Sequence, residues 1–279
     1  MQDKKILTIQ DISCVGQCSL TVALPIISAC GLETCILPSA VLSTHTGGFS
    51  GYTVRDLTDD IPAIAAHWQK EALSFDTIYT GYLGSTRQID MVIDIMEHLL
   101  TPQGLRIVDP AMADHGKLYY GFDMEFVAAM AKLCGTADIV LPNLTEACMM
   151  TGTEYIPEGY DEAYILGLMQ KLCALGAKTI VFTGVNYGED KYGVAVYSAG
   201  DETPQYYFHR HLARQSHGTG DVYASAFTGA LTQGCSVLEA AQIAADFTVE
   251  SIEKTSESHW YGVNFERALP LLVDRLNKE

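Results

Sequence analysis

Short uninterrupted apolar runs alternate along this chain with longer stretches in which apolar residues recur every three or four positions. The runs predict strands over 5–10, 33–38, 77–80, 105–108, 138–141, 179–183, 193–197 and 205–211. The helical spacing predicts helices over 17–30, 60–73, 85–100, 123–134, 144–151, 163–175, 220–232, 237–254 and 265–276. Several strands are apolar throughout instead of alternating, as strands covered on both faces are. The expected fold is therefore α/β, a three-layer α/β/α sandwich around a mainly parallel central sheet. No repeat, low-complexity tract or linker interrupts the pattern, so residues 1–279 read as one domain.

In such a sheet, ligands bind beyond the carboxyl ends of the strands. The residues that end the predicted strands are Asp11, Gly81-Tyr82, Asp109-Pro110, Pro142-Asn143, Thr183-Gly184 and the segment leading to Asp221. The strongest local signal is His217-Gly218-Thr219-Gly220-Asp221, placed before a long apolar helix. Two glycines allow a tight turn that aims successive amide N–H groups at one spot, an arrangement suited to an anion. A carboxylate beside an anion cradle is repulsive unless it has a task, such as taking a proton from an attacking hydroxyl. The bland reading is a glycine turn with an aspartate favoured by the helix dipole. Neither G-x-x-x-x-G-K-[ST] nor a G-x-G-x-x-G after the first strand is present.

Charge and composition narrow the classes. The chain has 17 Lys+Arg against 34 Asp+Glu, a formal net charge of −17. The three successive portions 1–100, 101–200 and 201–279 carry −6, −6 and −5, so no acidic tail accounts for it. Such a surface repels polyanions and argues against nucleic acid or anionic lipid as partners. Asp11 cuts the N-terminal apolar run short of a signal core, and the longest apolar stretches fall far below a membrane span, so a cytoplasmic protein is expected. Eight cysteines without a C-x-x-C pair read as buried free thiols. Acidic residues are sparse between Ile12 and Val54, where Glu33 is alone. They are absent between Thr203 and Gly220, where His209, Arg210, His211, Arg214 and His217 fall, so the acidity is expected to be held away from two segments lining the site.

The ordered set Gly81-Tyr82-Leu83-Gly84-Ser85, Asp109-Pro110-Ala111-Met112-Ala113-Asp114, Pro142-Asn143-Leu144-Thr145-Glu146 and Gly218-Thr219-Gly220-Asp221 resembles the ribokinase-like superfamily. With Thr44-His45-Thr46, it looks like the pyridoxal kinase branch, over nearly the whole chain. The resemblance implies ATP-dependent phosphorylation of the 5′-hydroxymethyl group of a B6 vitamer, with Asp221 as general base and Gly218, Thr219 and Gly220 as the anion hole. It implies that Asp114, Asn143, Glu146, Thr183 and Tyr119 serve ATP, with 115–120 as a flap. Mg²⁺ would be served by Asp114 and Glu146, partly through water, and a monovalent cation such as K⁺ by Asp109. It places the vitamer against Asp11, His45, Thr46 and Tyr82, and it implies a homodimer. Individually these residues also suit bland roles: strand ends, helix caps, first-turn acids or loop positions. Asp11 departs from the pattern, since better-known pyridoxal kinases resemble Ile-Gln-Ser where this chain has Ile9-Gln10-Asp11. A carboxylate there predicts a preference for pyridoxamine, whose 4′-amine is protonated, unless Asp11 simply caps the following turn. A hydroxymethylpyrimidine kinase of the same fold and a non-catalytic vitamer or nucleotide sensor remain as alternatives.

Overall fold

The computed structural model describes residues 4–188, 191–212 and 216–277. In chain order it runs β1 (Lys5–Ser13), α1 (Leu20–Ala29), β2 (Glu33–Leu42), β3 (Val54–Asp56), α2 (Ile61–Lys70), β4 (Phe75–Thr80) and α3 (Thr86–Leu99). Then follow β5 (Leu100–Val108), β6 (Ala113–Asp114), β7 (Lys117–Leu118), α4 (Met124–Cys134), β8 (Ile139–Val140), α5 (Leu144–Thr151) and α6 (Glu162–Ala174). The chain closes with β9 (Thr179–Asn186), β10 (Tyr192–Ser198), β11 (Gln205–His209), α7 (Thr219–Gln233), α8 (Val237–Lys254), a 3₁₀ turn (Phe265–Arg267) and α9 (Leu269–Leu276).

Among the described residues one large sheet has the order β11-β10-β9-β8-β5-β4-β1-β2-β3. From β2 to β9 every neighbouring pair is parallel, and β3, β10 and β11 join antiparallel at the edges. Two apolar clusters sandwich it. Leu7 and Ile9 of β1 point to the face covered by α2, α3, α4 and α6, with Ile61, Val92, Met130 and Leu168. Ile6 points to the face covered by α1, α7 and α8, with Ile26, Phe227 and Ala244. Burial of one side chain of this size contributes about 1.5–3 kcal/mol, so both faces anchor the strands. The expected three-layer sandwich with a mainly parallel sheet is thus observed. From β1 the chain moves through α1 to β2 on one side, and from β4 through α3 to β5 on the other. The crevice where the order reverses lies beyond the carboxyl ends of β1 and β4.

The departures have local causes. The first helix starts at Leu20 and not at residue 17, because Ser19 has φ 55° and pairs with Ile12 in an antiparallel bridge. The last predicted helix is split, because Pro270 lacks an N–H and tolerates only the first turn of α9. β3 escaped notice because its three residues are exposed and carry no apolar pattern. The expectation of buried thiols holds for Cys30, Cys134 and Cys148. It fails for Cys14, which is exposed, and for Cys18, Cys35, Cys173 and Cys235, which are half-buried; all eight are free. No helix among the described residues is long and apolar enough to cross a membrane.

Candidate functional site

The centre of the site is the start of α7. Gly218 has φ 79°, and a Cβ on it would lie 1.9 Å from the Gln17 carbonyl oxygen, so only glycine fits this turn. The first intrahelical bond runs from the Val222 N–H to the Gly218 carbonyl at 3.0 Å. The amides of Thr219, Gly220 and Asp221 therefore precede the helical ladder, as anion-binding amides do. Asp221 occupies the first turn. Burial pushes its carboxyl up to about 7; the Ser19 main-chain N–H opposes this by hydrogen bonding, and the nearby Asp11 adds to it.

Asp11 lies near Asp221, and Tyr82 and His45 lie near Asp11. β1 runs past Asp11 with a register irregularity between Gln10 and Ile12, and such bulges re-aim a side chain. Asp11 is only 4% exposed. Its Oδ2 accepts a hydrogen bond from Ser13 Oγ at 2.9 Å. Burial raises its pKa, while the Ser19 and Ser13 hydroxyls pull it down. Tyr82 follows β4 and lies against Phe122, with ring centroids 5.4 Å apart and planes 30° from parallel. Its phenol is pushed up to about 12 by burial, then by Asp11. Thr46 is exposed, whereas His45 is buried with both ring nitrogens taken by main chain: Nε2 lies 2.7 Å from the Tyr261 oxygen and Nδ1 accepts from the Gly47 N–H at 3.0 Å. The expectation that His45 hydrogen-bonds a substrate substituent is corrected accordingly, since neither nitrogen is left for one.

The opposite side carries carboxylates. Asp109 is buried at the end of β5, and its Oδ1 accepts from the Ala111 N–H at 3.1 Å across a turn in which Ala111 has φ 35°. Such strain in a non-glycine residue is characteristic of sites held by their surroundings. Asn143 and Glu146 form a capping box on α5. Asn143 Oδ1 accepts from the Glu146 N–H at 3.0 Å, while Glu146 Oε2 accepts from the Asn143 N–H at 2.9 Å and Oε1 from the Met112 N–H at 3.1 Å. Burial raises both Asp109 and Glu146, which repel each other.

The expected flap is a hairpin, β6–β7, whose turn residues His115 and Gly116 have φ 49° and 74°. Positive φ at both central positions matches the twist of a two-residue hairpin. The hairpin is fastened to α5: Asn143 Nδ2 donates to the Ala113 carbonyl at 2.8 Å and the Gly116 N–H donates to Thr145 Oγ1 at 2.9 Å. Asp114 is exposed at its tip, where Oδ1 accepts from the His115 N–H. Tyr119 directs its phenol toward Glu146, Asp114 and Asp109; burial and these charges push it well up. Thr183, half-buried on β9, donates to the Pro142 carbonyl at 3.4 Å.

The site carboxylates come from outside the two acid-poor windows: Asp109 lies within electrostatic reach of Glu146 and Asp221, and Asp221 within reach of Asp11. Arg210 pairs with Glu253, so it is engaged outside the phosphate cradle, and Arg214 lies outside the described residues. Among the described residues, no group of three metal-ligating side chains converges. The donor set nevertheless fits Mg²⁺, which binds through one or two carboxylates and completes its shell with phosphate oxygens and water. Glu146, with each oxygen already accepting an N–H, suits a water-mediated contact.

Sequence reasoning missed Ser19, Ala111, Phe122, Trp260 and Tyr261. Ser19 resembles an ordinary helix cap in sequence, yet it makes no side-chain capping bond. The others come from loops distant in sequence, where only the aromatic run His259-Trp260-Tyr261 offered a signal.

The profile of the family described as phosphomethylpyrimidine kinase matches residues 26–263. Over 269 residues the chain is 28% identical to a pyridoxine/pyridoxal/pyridoxamine kinase of Bordetella bronchiseptica, covering 91% of this chain and 90% of that one. A Bacteroides thetaiotaomicron structure in a form with pyridoxal is 36% identical, with a TM-score of 0.90 over 97% of this chain and 96% of that one. The pyridoxal kinase structure from Lactobacillus plantarum is 32% identical, with a TM-score of 0.88 over 97% of each chain.

Proposed function

Because the chain belongs to the phosphomethylpyrimidine kinase family, we propose that it transfers the γ-phosphoryl group of ATP to the 5′-hydroxymethyl group of a B6 vitamer. The observation that carries this reading is Asp221, a carboxyl held at about 7 in the first turn of α7, beside the amides that follow the Gly218 turn. A base with that pKa is half-ionised near neutral pH, where proton abstraction works best. Asp221 takes the proton of the vitamer hydroxyl as its oxygen bonds to the γ-phosphorus. The bond to the bridging oxygen breaks and ADP leaves. The amides of Gly218, Thr219 and Gly220 hold the charge on the transferred group in place, so catalysis is chiefly positioning and charge stabilisation.

Asn143, Thr183 and Tyr119 orient ATP, and Asp114 and Glu146 hold Mg²⁺, which when bound neutralises phosphate charge. Asp109 faces a monovalent cation such as K⁺. Thr46, Tyr82 and Asp11 face the vitamer. Burial raises the pKa of Asp11 most, while the Ser19 and Ser13 hydroxyls and nearby His45 lower it, so a cationic amine beside it would hold it ionised, which favours pyridoxamine over pyridoxal as the preferred partner. Asp11→Ser should abolish that preference; equal preference in both proteins would sink it. We also read residues 1–279 as one domain of a cytoplasmic homodimer.

ADP release measured with pyridoxamine, pyridoxal, pyridoxine and hydroxymethylpyrimidine tests the reading. Turnover with the vitamers is expected. Turnover with hydroxymethylpyrimidine alone would move the assignment to the pyrimidine kinase, and no turnover with any alcohol would favour a sensor. Relatives named as B6 kinases favour the first outcome.

A further inference from the structure

His45 joins four stretches of chain at one imidazole. Its main-chain N–H donates to the Val15 carbonyl at 3.3 Å. Its ring lies over Gly16, where a Cβ would come 2.1 Å from Cδ2. Phe49 meets it edge-on at 5.0 Å and His217 at 5.2 Å. Phe49 in turn packs on Trp260 at 4.7 Å, and a Cβ on Gly47 would press into the His217 ring at 2.7 Å.

The two ring hydrogen bonds fix its tautomer. Gly47 N–H can only donate, so Nδ1 is the bare acceptor; the Tyr261 carbonyl can only accept, so Nε2 carries the proton. A protonated ring would set two donors face to face at Gly47. Burial, helped by His217, lowers the pKa of His45, in keeping with a neutral ring, while Asp11 and the Tyr261 carbonyl oppose that shift. The titratable groups facing it are His217 and Asp11, and His259 packs on the neighbouring Tyr261 ring.

We propose that His45 is a positioning residue, a neutral imidazole latch that fastens the segment carrying Thr46 to the Tyr261 carbonyl and to the His217-Gly218 turn. The latch rests on the vitamer kinase reading. It sets the alignment of the bound vitamer with the phosphoryl cradle and touches neither reactant. Its effect therefore falls chiefly on the vitamer, because the hairpin proposed for ATP is fastened separately to α5.

Three variants take the latch apart. In His45→Asn the amide oxygen occupies the place of Nδ1 and can accept from Gly47. In His45→Gln the amide nitrogen reaches the place of Nε2 and can donate to Tyr261. His45→Ala loses both bonds. Leaving buried partners unpaired costs roughly tenfold or more per bond. We expect His45→Ala to lower kcat/KM for pyridoxal by about ten- to a hundredfold, with KM for ATP unchanged, and Asn or Gln to restore part of the loss. Trp260→Ala, which loosens the same loop from outside, should shift the pyridoxal KM in the same direction. A parallel rise in both KM values, an unaffected His45→Ala enzyme, or equal defects in the Ala, Asn and Gln variants would overturn the latch while leaving the kinase reading intact. If the parent protein turns over no vitamer, the kinase reading falls first and takes the latch with it.

Discussion

The side of the cleft proposed for the vitamer is ordered by packed rings, whereas the side proposed for the nucleotide is ordered by single hydrogen bonds. His45, Phe49, His217 and Trp260 interlock around Gly16, Gly47 and Gly48, with the buried Asp11 near His45. Across the cleft a two-residue-turn hairpin projects outward, tied to α5 by Asn143 and Thr145, with Tyr120 94% exposed beyond it. Packed order fails when volume is lost, and here it also holds the two ring hydrogen bonds of His45 in place. Hydrogen-bonded order fails at one atom. The two substrates therefore meet surfaces whose sensitivities to substitution differ in kind, and Asp221 stands between them.

The largest effect should come from removing that shared centre. Asp221→Asn is expected to lower kcat about 10²- to 10⁴-fold, the range for loss of a general base. In the parent enzyme kcat/KM for the vitamer should rise with pH through an apparent value near 7, because only the ionised carboxyl accepts the proton. Stability should move the opposite way. A carboxyl whose folded pKa lies above its ordinary range stabilises the fold while protonated, and that contribution is lost as pH rises to about 7. Asp221→Asn should therefore melt higher than the parent at pH 8, with the gap closing near pH 4. A variant that melts lower at pH 8 would contradict the buried-charge account.

Gly218→Ala comes next. It forces a side chain against the Gln17 carbonyl in a left-handed turn, at a cost of about 1–3 kcal/mol, readable by urea unfolding, and it should affect both substrates. Asn143→Ala separates the two sides. It removes a cap worth about 0.5–2 kcal/mol and one of the hairpin's two hydrogen bonds to α5, so KM for ATP should rise while KM for the vitamer stays put. Equal shifts would mean that the two sides are not independently ordered. Smallest of all, Tyr120→Ser on the exposed tip should change unfolding free energy by less than about 0.5 kcal/mol.

The layers and the parallel core were legible because apolar runs and helical spacing are properties of contiguous residues. Asp221 and its glycine turn were legible for the same reason, since the whole device occupies residues 217–221. Other parts depend on pairings that no local window contains. Ser19 looks like a helix cap, yet its left-handed backbone turns its N–H to Asp221 and its hydroxyl to Asp11. His45 looked like a substrate ligand because a polar residue beside Thr46 suggests one, and only the position of the Tyr261 carbonyl shows where its proton goes. The site carboxylates were legible as residues at strand ends and helix starts, but counts along the chain do not show how near one another they lie, since they come from β1, the end of β5, α5 and α7.

Glu146 belongs to a helix cap and to the cleft at once, through the same two oxygens. For anyone re-engineering this enzyme, the two properties cannot be varied separately at that position. A neutral replacement that relieves charge in the cleft also releases the amides of Asn143 and Met112, and with them the start of α5. Asp109, whose carboxylate accepts from the N–H of the adjacent turn, anchors no helix start and offers the freedom that Glu146 lacks. Attempts to retune the charge of the cleft should therefore begin at Asp109 and leave Glu146 as a fixed part of the scaffold.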